Sequence, residues 1–243
     1  MDRWLGLIRS VVIYHNPLRT RAWRRFYREV LEPGNVVFDV GAHVGTRARA
    51  MRAAGAKVVA VEPQDLFAGF LRRTLPQDIT LIEAALGAAQ RQARMAVSSR
   101  HPTVSSLQDS FVAQAEDAPG FDHVRWDRQQ TVKMTTLDRL ITEFGVPQYI
   151  KIDVEGYELD VLLGLTQPVE MISVEYLPGF PDLTRAVIDR LSQLGPYRFN
   201  PMAGERTAFL WSDWRDAEET TAWLEKLPAK APSGDLFARL EIP

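Results

Sequence analysis

The chain has 243 residues, 46% hydrophobic and 25% charged, with 29 Lys and Arg against 31 Asp and Glu for a net charge of −2. That composition is ordinary for a globular protein large enough to bury a sizeable core, and the near-neutral balance gives no basis for nucleic-acid binding. There is no cysteine, which excludes disulfides, thiolate metal sites and thiol catalysis and fits a reducing, cytoplasmic setting.

At the start, the apolar run at residues 11–14 is too short to span a membrane, and no cleavage signature follows it. Asn16-Pro17 reads as a helix start, with Asn as cap and Pro at the first helical position. Trp23, Phe26, Tyr27 and Val30 then recur at i, i+3, i+4 and i+7, while Arg21, Arg24, Arg25 and Arg28 repeat that spacing on another face. The pattern predicts an amphipathic helix ended by Glu32-Pro33-Gly34. Its arginine stripe reads as a solvated face, with recruitment of an anionic acceptor or peripheral contact with a membrane as the functional alternative.

From Val36 the pattern changes to βα alternation. Strands are predicted at Val36-Val37-Phe38-Asp39-Val40, Lys57-Val58-Val59-Ala60-Val61-Glu62 and Ile79-Thr80-Leu81-Ile82-Glu83, with helices between them. Continuous apolar strands of this kind belong to a parallel sheet covered on both faces. The signal weakens over residues 87–135, where Met95-Ala96-Val97 and Val132-Lys133-Met134 read as short strands around a polar, loop-rich insertion. Alternation resumes with a helix at residues 137–144, the strand Tyr149-Ile150-Lys151-Ile152-Asp153-Val154, a helix at 157–165 and a strand at 169–176. A helix at 183–194, a strand at 206–211 and a helix at 217–227 complete the expectation. The reading is one Rossmann-like α/β domain over 1–243: an N-terminal helical extension (1–34), a cofactor-binding core (36–176) and a C-terminal part (177–243).

Ligands of such sheets bind beyond the carboxyl ends of the strands. Here those ends carry Asp39, Glu62, Glu83, Asp153 and Glu175 in succession. An acidic rim repels a pyrophosphate but suits a sulfonium cation and ribose hydroxyls. The first turn, Asp39-Val40-Gly41-Ala42-His43-Val44-Gly45, has two glycines for a sharp bend and close ligand approach. It lacks the Gly-x-Gly-x-x-Gly of dinucleotide sites, and Glu62 stands about 20 residues on, where a carboxylate can bind a ribose diol. In Lys151-Ile152-Asp153-Val154-Glu155-Gly156-Tyr157-Glu158, strand alternation places Lys151, Asp153 and Glu155 on one side. Glu158 reads as a complement to the next helix's positive end. His15, His101 and His123 read as surface histidines, Ser105-Ser106 as a turn, and Trp211 and Trp214 as core.

The segments FDVGAHVGTRARA, VVAVEPQ, TTLDRL and YIKIDVEGYELDVLLGL resemble those of the FkbM family of S-adenosylmethionine (SAM)-dependent methyltransferases. The resemblance covers about residues 36–175. It implies a class I methyltransferase fold and methyl transfer to a hydroxyl, on a sugar, glycan or secondary metabolite. Carried over by position, Asp39, Gly41, Ala42, His43 and Gly45 would surround the methionine end of SAM. Glu62 would hold the ribose, the Glu83-Ala84 turn would lie near adenine, and Asp153 near the transferable methyl. The candidate catalytic residues are Asp153, Glu155 and Lys151. Asp153 or Glu155 would accept the hydroxyl proton late in transfer; alternatively Asp153, with Glu155 or Glu175, would hold a divalent cation such as Mg²⁺. Lys151 already offsets one carboxylate, so metal-independent transfer is the preferred expectation. Alternatives are an N- or protein methyltransferase, a non-catalytic adenosyl-binding partner subunit and, outside these, a dehydrogenase.

Overall fold

The computed structural model describes residues 2–98, 105–107, 124–204 and 206–241, with side chains from Gly6 onward. His101 and His123, and most of the insertion between residues 98 and 128, lie outside the described residues.

Two helices open the chain. α1 (Asp2–Tyr14) lies within the expected helical extension, ahead of the helix start read at Asn16-Pro17. α2 (Pro17–Val30) starts as expected, with Asn16 Oδ1 accepting the Leu18 amide at 2.9 Å and Pro17 in the first turn. It buries Trp23, Phe26 and Tyr27 and turns its arginines outward. The first βα units follow as β1 (Val36–Val40), α3 (Thr46–Ala53), β2 (Lys57–Val61), α4 (Asp65–Thr74) and β3 (Thr80–Ile82). Next come β4 (Ala85–Leu86), β5 (Arg91–Val97) and β6 (Arg128–Thr135), then α5 (Leu137–Phe144), β7 (Tyr149–Ile152), α6 (Glu158–Leu163) and β8 (Met171–Tyr176). α7 (Pro181–Leu194), β9 (Tyr197–Ala203), α8 (Ala217–Leu224) and β10 (Gly234–Leu240) finish the fold.

The main sheet runs β3-β2-β1-β7-β8-β10-β9, parallel except for β10, which is antiparallel to both neighbours. The order reverses between β1 and β7, because the chain winds outward through β2 and β3 before returning. That switch point opens a crevice at the strands' carboxyl ends. The side chains of β1 alternate between two cores: Val37 packs with Trp23, Phe26, Tyr27 and Met51 on one face, Phe38 and Val40 with Ile150, Ile152 and Val161 on the other. Both faces are thus covered, as the unbroken apolar strands require.

One expectation fails near the C-terminus. Residues 206–211 form bends and irregular coil, and the strand is β9, at residues 197–203. Pro201 inside that run argues against a strand, yet β9 is an edge strand, where a missing amide is tolerated. The segment at 206–215 instead leans on β9, with Leu210 N donating to Pro201 O at 2.8 Å and Trp211 N to Asn200 Oδ1 at 3.1 Å. β10 was not anticipated. In the insertion, β5 and β6 pair over their full lengths and join β4 in a second small sheet.

Candidate functional site

The first turn after β1 is folded back on the sheet. The amides of Gly41 and Ala42 both donate to Val61 O at 3.0 Å, and Gly45 N donates to Ala42 O at 2.7 Å. Gly41 takes φ +78°, and a Cβ there would sit 1.8 Å from the carbonyl oxygen of Asp153. Only glycine lets the β1 and β7 loops touch in this way. Glu62 clamps the turn from the neighbouring strand: one carboxylate oxygen accepts His43 N at 2.8 Å and the other Gln64 N at 2.9 Å. Burial pushes the Glu62 carboxyl up to about 7 against the pull of those two amides. The His43 ring lies edge-on between Tyr14 and Phe67, and burial lowers its pKa to about 4, so the imidazole is neutral at physiological pH.

Cross-strand register sets Asp39 directly beside Lys151. The buried Lys151 ammonium lies 3.0 Å from Asp153 Oδ2 and 3.7 Å from Asp39 Oδ1. Burial opposes its charge, but Asp153 and Asp39 outweigh that and hold its pKa above the ordinary lysine value. For Asp153, burial pushes the carboxyl up while Lys151 pulls it below the usual carboxylate range. Asp39 has no such net relief, and burial leaves its pKa raised. Arg47 continues the chain of charges, pairing with Asp235 at 2.9 Å.

The strand alternation expected through Glu155 stops at Ile152. Glu155 (φ +54°) and Gly156 (φ +88°) are both left-handed, so Asp153, Val154 and Glu155 all face one cavity. This bend is secured twice. Glu158 Oε1 accepts the amides of Val154 and Gly156 at 3.1 and 3.3 Å, and Ser106 Oγ donates to Glu155 O at 2.8 Å. Glu158 thus holds the loop upstream of the helix whose positive end it was expected to complement. Burial, then Asp153 and Glu158, push the Glu155 carboxyl well above the usual range, and burial, Asp153 and Glu155 do the same for Glu175.

The cavity has a volume of about 240 Å³. Of the expected site residues it is lined by Gly41, His43, Glu62, Ala84, Asp153 and Glu155. Asp39 and Lys151 lie behind its wall, where they act on Asp153, and Ala42 and Gly45 shape the turn without lining the cavity. Glu83 departs from expectation: it is exposed, and Arg72 holds its carboxylate through a two-pronged ion pair away from the cavity. Sequence reasoning missed Tyr14, Phe67 and Tyr157 as lining residues. Nothing in the run before Asn16 marks Tyr14. Ser105-Ser106, read as a turn, instead reaches the site, with Gln64 Nε2 donating to Ser105 Oγ at 2.6 Å.

Among the described lining residues four are carboxylates, Glu62, Asp153, Glu155 and Glu175, and none is Lys or Arg. Such a cavity attracts a cation and hydroxyl donors and gives a pyrophosphate no counter-charge. Ligand oxygens of Asp153, Glu155 and Glu175 lie within 4.8 Å of one another, close enough to share a divalent cation. The Lys151 ammonium already neutralises Asp153 there. Glu155 and Glu175 both face the cavity as carboxyls whose charged forms are disfavoured by burial and by their acidic neighbours.

Comparison with known proteins places the geometry in a family. The profile of the methyltransferase FkbM domain matches residues 39–225. The hexuronic acid methyltransferase AglP of Haloferax volcanii is 30% identical over 161 residues, which are 64% of this chain and 61% of that protein, so the match spans under two thirds of the relative. Among solved structures, the precorrin-6y C5,15-methyltransferase of Geobacter metallireducens aligns over 90% of this chain and 87% of its own, at 14% identity and TM-score 0.47. An rRNA methylase of Streptococcus thermophilus aligns over 90% and 94%, at 12% identity and TM-score 0.45. With its profile matched over three quarters of its length, this chain is a member of the FkbM methyltransferase family.

Proposed function

We propose that the protein is a SAM-dependent O-methyltransferase whose acceptor is a hydroxyl of a sugar or glycan. The observation that carries this reading is the cavity itself: the glycine turn, a buried Glu62, Asp153, Glu155 and Glu175 share one lining, with no Lys or Arg among the described lining residues. Bound there, SAM supplies an electrophilic methyl on a sulfonium centre, which the acidic lining favours over a phosphorylated cofactor. The Gly41 turn, His43 and Asp153 hold the methionine end, and Glu62 has a free lone pair on each oxygen for a ribose diol. Ala84 would lie against the base, and Glu83, turned to Arg72, would take no part.

The chain's own chemistry is positioning and proton removal. Glu155 accepts the acceptor's hydroxyl proton as the new C–O bond forms, because its raised pKa makes it a stronger base than Asp153. Lys151 keeps Asp153 ionised beside the sulfonium site. The family relative named for a hexuronic acid supports a sugar acceptor. Four lining carboxylates would repel a second carboxylate, so a hydroxyl is the favoured nucleophile over a uronate's own acid group.

A second reading has one specific support: an amine acceptor would arrive as a cation and be drawn to the same acidic lining. Both are tested by offering labelled SAM with uronic acid glycosides, their neutral hexose counterparts and amino sugars. Label on a sugar oxygen that survives mild alkali is the ether expected here; label released by mild alkali is an ester and rejects the hydroxyl; label on nitrogen selects the amine reading.

A further inference from the structure

The α1–α2 joint carries a surface that methyl transfer does not use. α1 buries Leu7 and packs Val11 and Tyr14 toward Val44 and Phe67. Its opposite side is not polar: Ile8 is 57% exposed, Val12 70% and Ile13 42%, and Leu18 at the start of α2 is 78% exposed. A surface helix ordinarily turns polar residues outward; one that is apolar on both sides is a covered helix. The charge around it is one-sided. Residues 2–30 hold seven arginines against two acids, a surplus of five in a chain of net charge −2, so the remainder carries −7. Arg9, Arg19, Arg21, Arg24, Arg25 and Arg28 are all exposed, and of these only Arg25 is ion-paired among the described residues, with Glu29. Leu18 shares one shallow depression with Arg21, Arg24, Arg25 and Arg28.

We propose that this face docks on an anionic lipid bilayer, with the aliphatic side chains at the acyl boundary and the arginines on the headgroup phosphates. No helix among the described residues is long and apolar enough to cross a membrane, and the contact proposed is interfacial. A second copy of the chain fits the patch poorly. A symmetric contact sets the same surface against itself and would oppose two clusters of uncompensated arginines. The docking helix also ends on the cavity, since Tyr14 lines it and lies edge-on to His43 at 5.0 Å. Attachment through α1 and α2 thereby sets the site beside the headgroup layer.

The test is flotation of the full chain with phosphatidylcholine vesicles, with and without phosphatidylglycerol. The protein floats with the anionic vesicles only, and the bound fraction falls as salt rises. Arg24→Gln with Arg25→Gln lowers partitioning about twenty-five-fold at low ionic strength, at roughly five-fold per arginine near such a surface. Ile8→Gln with Val12→Gln abolishes it, with unfolding midpoint and SAM affinity unchanged. The proposal is overturned if the native chain does not float with anionic vesicles, or if binding ignores salt and all four substitutions. It is equally overturned by a stable dimer that Ile8→Gln with Val12→Gln splits and that binds no vesicle. None of these readouts requires methyl transfer, so the docking surface and the proposed activity fail separately.

Discussion

Gly41→Ala would place a methyl carbon 1.8 Å from the carbonyl oxygen of Asp153 and 3.0 Å from its carbonyl carbon. Ordinary contact begins near 3.4 Å, so the loop after β7 must retreat by about 1.6 Å. That loop carries Asp153 and Glu155, and its first amide is bonded to Val40 O at 3.1 Å. Overpacking costs about 1–3 kcal/mol, and an alanine at φ +78° adds about 1–2 kcal/mol. A total of about 2–5 kcal/mol lowers the unfolding midpoint of a domain this size by roughly 4–20 °C. Gly34→Ala is the control: φ is +93° with nothing within 4 Å of the added carbon, so only the backbone cost applies, roughly 2–8 °C. Calorimetric unfolding of both variants, paired with SAM titrations, separates packing from backbone strain. Gly41→Ala should also lose SAM affinity by at least about tenfold, whereas Gly34→Ala should keep it. Equal midpoint losses with native SAM affinity in both would refute the contact between the two loops and the site built on it.

Other consequences are as direct. Glu62 and Glu158 have folded-state pKa values raised from 4.5 to about 7, so the stability tied to their protonated forms is present below pH 4.5 and lost as pH rises through 7. Each is worth on the order of 3 kcal/mol; denaturant unfolding of the SAM-free protein should weaken from pH 5 to 8, less so in Glu62→Gln, and a rising stability over that window would contradict the burial of both groups. Glu155→Gln should slow methyl transfer by about 10²–10⁴-fold with SAM affinity retained, and near-native turnover would remove it as the base. Lys151→Met leaves Asp39 buried without its partner and should destabilise by about 3–5 kcal/mol, which a thermal scan would read; a stability loss under about 1 kcal/mol would mean the pair is solvated. Chelation by EDTA should leave the rate unchanged, whereas loss with rescue by Mg²⁺ would assign Asp153, Glu155 and Glu175 to a cation.

The central strands and their terminal acids were legible because a parallel sheet buried on both faces demands unbroken apolar runs, and polar residues at their ends stand out. The Gly41 turn and Glu62 were legible for the same reason. Four things were not. Alternation cannot foresee the left-handed Glu155, which ends the strand early and adds Val154 to the cavity wall. Glu83 has the strand-end position of the other acids, but a neighbour one helix back, Arg72, decides where its carboxylate points. β9 hid behind Pro201, since edge position is a property of topology and not of the run itself. Tyr14 and Ser106 reach the site from segments whose local pattern carries no chemistry.

What binds in the cavity lined by Gly41, Glu62, Asp153, Glu155 and Glu175 decides the function. Titration calorimetry of the purified chain with SAM, S-adenosylhomocysteine and NAD addresses it in one experiment. One site per chain for both adenosyl ligands, and no heat with NAD, is the predicted result. Saturable NAD binding with no response to SAM would contradict it.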